Sequence, residues 1–368
     1  MGITALQAQG EGLGAATFSD YRGVTTAARF SDPQAEFAVL RSVCGVYDLG
    51  FRAKISLTGG DRVRWLNGMV TNNVRDLVAG HGVYAFLLNP QGHILGDLYA
   101  YNHGDSITVD TDSAQAEKVL ATFDHYIIMD DVEVTNLSEQ LTALGIAGPS
   151  SPGVLSAAGF TIPQMTPLQA QSVTWHGLDC ILVRGEDPEH LSYEIWLASD
   201  CVRQLWDALR SVGATPVGSE ALELRRIVAG IPRYGVDIRE RDLPQETEQA
   251  RALNFNKGCY VGQEIVERIR SRGAVHRKFT GFLAESTQLI AAGAKIVAGE
   301  KEVGEITSAA SLQLPTGNKA VALGYIRREV GTPGREVTIG TLKATVVQLP
   351  VADGLLLQDE NSLEQRPA

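Results

Sequence analysis

Apolar and polar positions switch between two periods along the chain. The stretch "PQAEFAVLRSVCGVYDL" has helical spacing and then a turn, whereas "AKISLTGGDRVRWLNGMV" predicts a strand, a Gly-Gly turn and a helix capped by Asp61. "GVYAFLLNPQGHILGDLYAYN" predicts two strands joined at Asn89-Pro90-Gln91-Gly92. "SITVDTDS" adds a strand and "AQAEKVLATFDHYII" a helix. Further on, "CILVRG" and "YEIWLAS" are strand-like, and "DCVRQLWDALRSVG" and "SEALELRRIVAG" are helices ending near Gly213 and Gly230. Residues 1–18 are expected to be mobile. The stretch 145–170 is either a linker or a packed irregular segment. After residue 278 short alternating strands with glycine turns predict a small β-barrel or sandwich.

Length and composition refine this picture. A chain of 368 residues is long for one core, so two or three packed units are expected. With 44% apolar and 20% charged residues the composition is that of an ordinary globular protein. A net charge of −11 argues against non-specific binding of nucleic acid or anionic membranes by the whole molecule. Segment 257–278 runs against that trend, with six Lys or Arg and two Glu. No apolar run reaches the length of about 20 residues that spans a bilayer. The opening residues lack the basic and apolar regions of a signal peptide, and Leu6 breaks the myristoylation pattern. The expected location is cytoplasmic. The cysteines, at 44, 180, 201 and 259, form no C-x-x-C pair, so the chain alone is expected to hold no metal or cluster. "GEGLG" at 10–14 follows no strand and is not a nucleotide fingerprint.

Several motifs carry a resemblance in a fixed order: "VYDLG" (46–50), "NGMVTNNV" (67–74), "VYAFLLNPQGHILGDLYAY" (83–101), "DHYIIMDDVEV" (124–134), "AGIPRYGVDI" (229–238), "KGCYVGQE" (257–264) and "VGEITS" (303–308). Over nearly its whole length the chain resembles the glycine-cleavage T-protein superfamily. It looks most like the YgfZ-type branch of folate-binding proteins, chiefly through the K-G-C-Y-x-G-Q-E octet. Two features depart from true T-proteins: "AARFSDPQAEF" stands where they carry Gly-Trp-x-x-Pro, and Gly96 precedes a single Asp97 where they carry paired aspartates. The resemblance implies an α+β fold, with two intertwined α/β units in a ring around a folate pocket and a C-terminal β-barrel. The expected divisions are 1–278, 279–355 and a disordered tail at 356–368.

The resemblance also assigns candidate residues. A reduced pterin presents a ring N–H beside an exocyclic amine, a donor pair suited to a carboxylate. Glu194 matches the family's pterin-contacting glutamate; on pattern alone it is equally a solvent-facing strand carboxylate. Asp97 matches the carboxylate near the reactive folate nitrogen, where it would move a proton or stabilise a cation; otherwise it is a turn or cap residue. Tyr84 stands at the family's position for a pocket aromatic, or is a core tyrosine. Arg226 matches a family arginine that would meet the folate glutamyl carboxylates or brace Glu194, or it forms a surface salt bridge. Cys259, beside Lys257 and just before the helix "QEIVERIR", is either a reactive thiol or a small apolar plug. Arg268, Arg270 and Arg272 form a solvated face, with a polyanion, weak nucleic-acid contact or acidic partner as the alternative.

The function implied is a tetrahydrofolate-binding accessory protein supporting iron–sulfur enzymes, with Cys259 and Asp97 as working groups, Lys257 beside the ligand, and client proteins as partners. The rival is an aminomethyltransferase passing a one-carbon unit to tetrahydrofolate.

Overall fold

The computed structural model of the chain describes residues 2–10, 13–14, 17–188, 190–273, 275–286, 288–314 and 317–357. It divides into two compact units. Unit 1 comprises Met1–Leu88, Gly96–Leu222 and Arg251–Val261; unit 2 comprises Asn89–Leu95, Glu223–Ala250 and Gly262–Ala368.

Two sheets dominate unit 1. The first has the strand order His81–Leu88, Ile94–Asn102, Ile107–Asp112, Arg52–Thr58, Glu133–Asn136. Its antiparallel register sets Arg52 opposite Asp112 and Lys54 opposite Asp110, with Tyr99 opposite Asp110 on the other side. Because strand side chains alternate, Asp97, Tyr99 and Tyr101 share one face with Asp110, Asp112, Arg52 and Lys54. The opposite face carries Ala53, Ile55, Leu57, Leu98, Ala100, Ile107 and Val109, all buried.

The second sheet runs Ala170–Trp175, Leu178–Arg184, Ser192–Ala198, Leu141–Ala147, Gly45–Asp48, Thr215–Pro216. Glu194 lies opposite Gly145 and Val183. Glycine is required at 145, since a Cβ there would come within 2.0 Å of the Tyr47 ring. The helix Val202–Ser211 closes the core by burying Val202, Leu205, Trp206 and Leu209, the i, i+3, i+4, i+7 stripe of an amphipathic helix. A small third sheet joins Gly2–Ile3, Val24–Arg29 and Thr17–Tyr21.

Unit 2 contains a closed six-stranded barrel in the order Arg277–Glu285, Gly317–Arg327, Lys301–Leu314, Lys295–Ala298, Glu336–Ile339, Leu342–Val347. Phe282, Ile296, Ile306, Ile326 and Val346 fill its core with no exposure. The α+β class with a C-terminal barrel, implied by the resemblance, is what forms, and the short alternating strands close as a barrel rather than a sandwich.

Several local expectations change. The stretch 145–170 is not a linker: Leu141–Ala147 is a strand and Ser151–Ala157 a helix that buries Val154 and Leu155, while 158–168 is irregular but packed, with Phe160 buried and Ile162 and Met165 against the same core. The proline of that helix sits in its first turn, where no donor is lost. The N-terminal residues are ordered in part, with Leu6 and Leu13 buried in the unit 1 core. Residues 1, 11, 12, 15 and 16 of that stretch lie outside the described residues. Asp61 precedes the helix Arg62–Met69 but makes no side-chain cap bond; its carboxylate accepts the Asp131 N–H at 3.0 Å instead. At the C-terminus Asp353–Leu357 is helical, and the rest of the expected tail, 358–368, lies outside the described residues.

Asp48, at the end of the Gly45–Asp48 strand, is buried. Burial pushes its carboxyl up to about 6, against hydrogen bonds from Thr4 and the Gly50 amide. Between its ordinary value of 3.8 and about 6, the folded state therefore holds a proton that the unfolded state has released. This contribution to stability is full below the lower value and is lost as pH rises through the upper one. Asp48→Asn should remove that slope and gain up to about 3 kcal/mol at pH 8. Urea unfolding of both proteins at pH 4, 6 and 8 measures it; a variant that is less stable at pH 8 refutes the assignment.

Candidate functional site

The polar face of the first sheet is covered rather than solvated. Trp196, fully buried on the Ser192–Ala198 strand, lies over it. The Lys54 ammonium sits 4.6 Å from the Trp196 ring centre, and the Tyr101 ring meets the same indole edge-on at 5.1 Å. Lys54 is 0% exposed and bonds Asp110 at 2.8 Å. Arg52 forks between Asp110 at 2.9 Å and Asp112 at 2.6 Å, and Arg22 reaches Asp112 at 2.9 Å. Burial alone would hold Asp110 and Asp112 protonated. The adjacent Arg52, with Lys54 on Asp110 and Arg22 on Asp112, outweighs it and brings both carboxyls below their ordinary value.

Asp97 and Glu194 experience the reverse balance. Burial, reinforced by the charge of Asp112, raises Asp97. Burial, reinforced by Asp110, raises Glu194 against the pull of Lys54 and the indole N–H. Both nevertheless retain some solvent contact. The four acids thus separate into two lowered and two raised from their ordinary values, a division typical of acid–base sites.

Both oxygens of Asp97 are held. The Tyr84 hydroxyl donates to Oδ2 at 2.7 Å, and the Gln115 side-chain amide donates to Oδ1 at 2.8 Å. Gln115 also accepts the Asp97 backbone N–H at 3.0 Å. It stands in the first turn of the helix Ser113–Tyr126, which follows directly from the Ile107–Asp112 strand. A Cβ at Gly96 would lie 3.0 Å from the Gln115 Oε1, so the glutamine amide fills space beside a residue without a side chain. Glu194 accepts the Trp196 indole N–H at 2.8 Å.

Around Tyr84 the Arg251 guanidinium lies 4.2 Å over the ring, and Tyr99 is 5.0 Å away. Tyr99 donates to Glu186 at 3.0 Å, and Arg251 pairs with Glu186 and reaches the Tyr99 oxygen at 3.3 Å. The expected residues Tyr84 and Asp97 are therefore in direct contact. Asp97 and Glu194 also share the Arg52 field.

Lys257 sits elsewhere in unit 1. It is buried, and its ammonium donates to the carbonyls of Asn67, Val70 and, at 2.9 Å, Asn72. These lie in and just beyond the last turn of the Arg62–Met69 helix, where backbone acceptors are unpaired. Burial and Arg75 bring Lys257 down to about 7. Three carbonyl acceptors need three N–H groups, however, and so hold the proton on. Asn72 and Thr71 bind the carbonyls of Arg251 and Ala252, so the "NGMVTNNV" motif fastens the 251–261 segment to unit 1. Cys259 is exposed, Cys44 and Cys180 are buried, and Cys201 is intermediate. The helix expected after Cys259 forms as Gln263–Arg272, with Gly262 at φ 81° before it.

Arg226 belongs to unit 2, where its partners differ from those expected: Asp237 at 2.8 Å, Glu223 at 2.7 Å and the Ser308 hydroxyl at 2.9 Å. It is buried, and ties the Ser219–Val228 helix to the "AGIPRYGVDI" and "VGEITS" motifs. Among the described residues no group of three or more His, Cys, Asp or Glu is arranged to hold a metal ion. No helix among them is long and apolar enough to cross a membrane.

Sequence reading did not select Gln115, Arg52, Lys54, Asp110, Asp112 or Arg251. The signal available was the repeated polar position every second residue in "RAKIS" and "TVDTD", with opposite charges on the two strands.

Residues 9–257 match the GCVT N-terminal domain, and residues 277–353 match the glycine cleavage T-protein C-terminal barrel domain. An aminomethyltransferase of Streptomyces coelicolor is 28% identical over 350 residues, covering 90% of this chain and 91% of that protein. One from Rubrobacter xylanophilus is 28% identical over 357 residues, covering 94% and 93%. Among solved structures, the glycine cleavage system aminomethyltransferase T of Bartonella henselae superposes with a TM-score of 0.85 at 22% identity, over 95% of this chain and 98% of that one. This last likeness establishes the fold.

Gln115→Leu removes a donor to Asp97 and the acceptor of its N–H together. The Asp97 carboxyl should titrate higher, because a hydrogen bond that lowers it is lost, with a stability loss of about 1–2 kcal/mol. Carboxyl-carbon NMR titration, with Asp97→Asn identifying the signal, reads the shift; an unchanged midpoint would mean that Gln115 has no hold on the acid.

Proposed function

Because the chain belongs to the glycine-cleavage T-protein family, we propose that unit 1 binds tetrahydrofolate and handles a one-carbon unit on it, as an aminomethyltransferase does. The observation that carries this reading is Asp97: a half-buried carboxyl raised above its ordinary value and held on both oxygens by Tyr84 and Gln115. Such a group accepts or returns a proton at a substrate nitrogen without changing its own position.

Each neighbour has a definable task. Glu194, already anchored by the Trp196 N–H, offers acceptor lone pairs to the paired N–H donors of a pterin edge. Tyr84 and Gln115 orient Asp97. Arg52, with Lys54 on Asp110 and Arg22 on Asp112, keeps these two acids ionised, and their charge adds to burial in raising Asp97 and Glu194. Bound tetrahydrofolate would supply the nucleophilic nitrogen that receives the one-carbon unit. Lys257 and Arg226, with their donors engaged by protein acceptors, act in this reading as braces rather than folate ligands.

A second reading keeps folate binding and makes the protein a YgfZ-type accessory for iron–sulfur enzymes. Supporting it is the exposure of Cys259 within the Lys257–Glu264 octet, together with Gly96 in place of a paired aspartate. The thiol then works on a client protein while folate occupies unit 1.

Anaerobic calorimetry with tetrahydrofolate tests the shared premise. Wild type should bind, and Glu194→Ala should weaken binding on the order of 10–100-fold through loss of charge-assisted hydrogen bonds. No binding by wild type would refute both readings. The two then separate by mutation: Asp97→Asn abolishes ammonia release from an aminomethyl-lipoyl carrier under the first, while Cys259→Ala leaves it intact. Under the second, Cys259→Ala removes support of iron–sulfur enzyme activity in cells and no ammonia release is seen.

A further inference from the structure

Unit 2 contains a cavity of about 430 Å³, within the usual range for small-molecule sites. It lies against the barrel strands Arg277–Glu285, Lys295–Ala298, Lys301–Leu314 and Gly317–Arg327 and the loop around Asp242. Its acids already have cationic partners. Asp242 and Glu246 hold Arg277 at 2.7 and 2.9 Å, and Glu302 and Glu305 hold Lys295 at 3.1 and 3.2 Å. Arg239 adds a contact to Glu305 at 3.5 Å.

The cations are not matched in the same way. Arg241 approaches Asp242 only at 4.0 Å, beyond hydrogen-bond range. Arg327 and His276 also line the cavity and are exposed, and among the described residues their side chains make no hydrogen bond or ion pair. Strand register sharpens the imbalance: Arg327 lies directly opposite Arg277 in the antiparallel pair. Like charges at that position repel. Asp242 and Glu246 neutralise Arg277, whereas among the described residues Arg327 has no ion-pair partner.

We propose that this cavity binds a small dianion, a phosphate ester or compact polycarboxylate, through Arg241, Arg327 and His276. Two guanidinium forks suit either oxyanion, and the ligand would relieve the Arg277–Arg327 repulsion. All the residues that line the cavity belong to unit 2, so the inference stands whether or not unit 1 binds folate.

Calorimetric titration of the full chain at 150 mM NaCl, with pyrophosphate in one arm and citrate in the other, tests it. Saturable one-to-one binding with a sub-millimolar constant is expected in at least one arm, and the arm that responds identifies phosphate or carboxylate. Arg241→Gln combined with Arg327→Gln should weaken that binding by at least about tenfold, the loss of charge-assisted bonds. Both residues are exposed, so the melting temperature should be preserved. Arg64→Gln, at an exposed ion pair in unit 1, should bind as wild type. Absence of saturable binding in both arms up to about 10 mM, or equal binding by the double variant, overturns the proposal.

Discussion

The chemistry of unit 1 depends on a lysine removed entirely from water. Bringing an ammonium into the interior costs several kcal/mol unless anions and hydrogen bonds replace its hydration. Asp110 supplies the charge for Lys54, the Trp196 face supplies a favourable quadrupole, and Arg52 joins Asp110 to Asp112. Each member needs the others: without Asp110 a buried cation would be stranded, and without Arg52 the two aspartates would repel.

That cluster also sets the state of its neighbours. Asp110 and Asp112 are held ionised, and their negative charge, added to burial, resists ionisation of Glu194 and Asp97. The arrangement resembles a charge relay only in outline. What it provides is two fixed anions and two carboxyls raised above their ordinary values, within one sheet face and the strand that covers it. A folate-type ligand presenting N–H donors to Glu194 and a reactive nitrogen to Asp97 would meet groups already oriented. Cys259, by contrast, is exposed.

Much of the fold was legible because local and tertiary preferences agreed. The hairpin through Asn89-Pro90-Gln91-Gly92, the helix around Trp206 and the barrel strands form as their periodicity predicts. The helix at 151–157 was missed because a Ser-Pro-Gly start resembles a linker, although proline is well placed in a first turn. Of the candidate site, Tyr84, Asp97 and Glu194 were named through family resemblance. Gln115 was not, since a glutamine early in a helix has no pattern that distinguishes a surface amide from one clamping a carboxylate eighteen residues away in sequence.

The sequence by itself determined the strand period, and with it which residues of "RAKISLT", "ITVDTD" and "GDLYAYN" share a face. Alternation after residue 278 also limited the C-terminal strands to a small barrel or sandwich, and the family resemblance implied the α+β class with the barrel. Only the tertiary structure decided that the polar face is interior. Alternating charges ordinarily face water; here Trp196 and Tyr101 cover them, and the strand register pairs each cation with an acid. The same holds for Lys257 and Arg226, whose charges look free in the sequence and are taken up by carbonyls and carboxylates distant along the chain. Periodicity is a local property, whereas the partner that makes a buried charge tolerable is fixed only when distant segments meet.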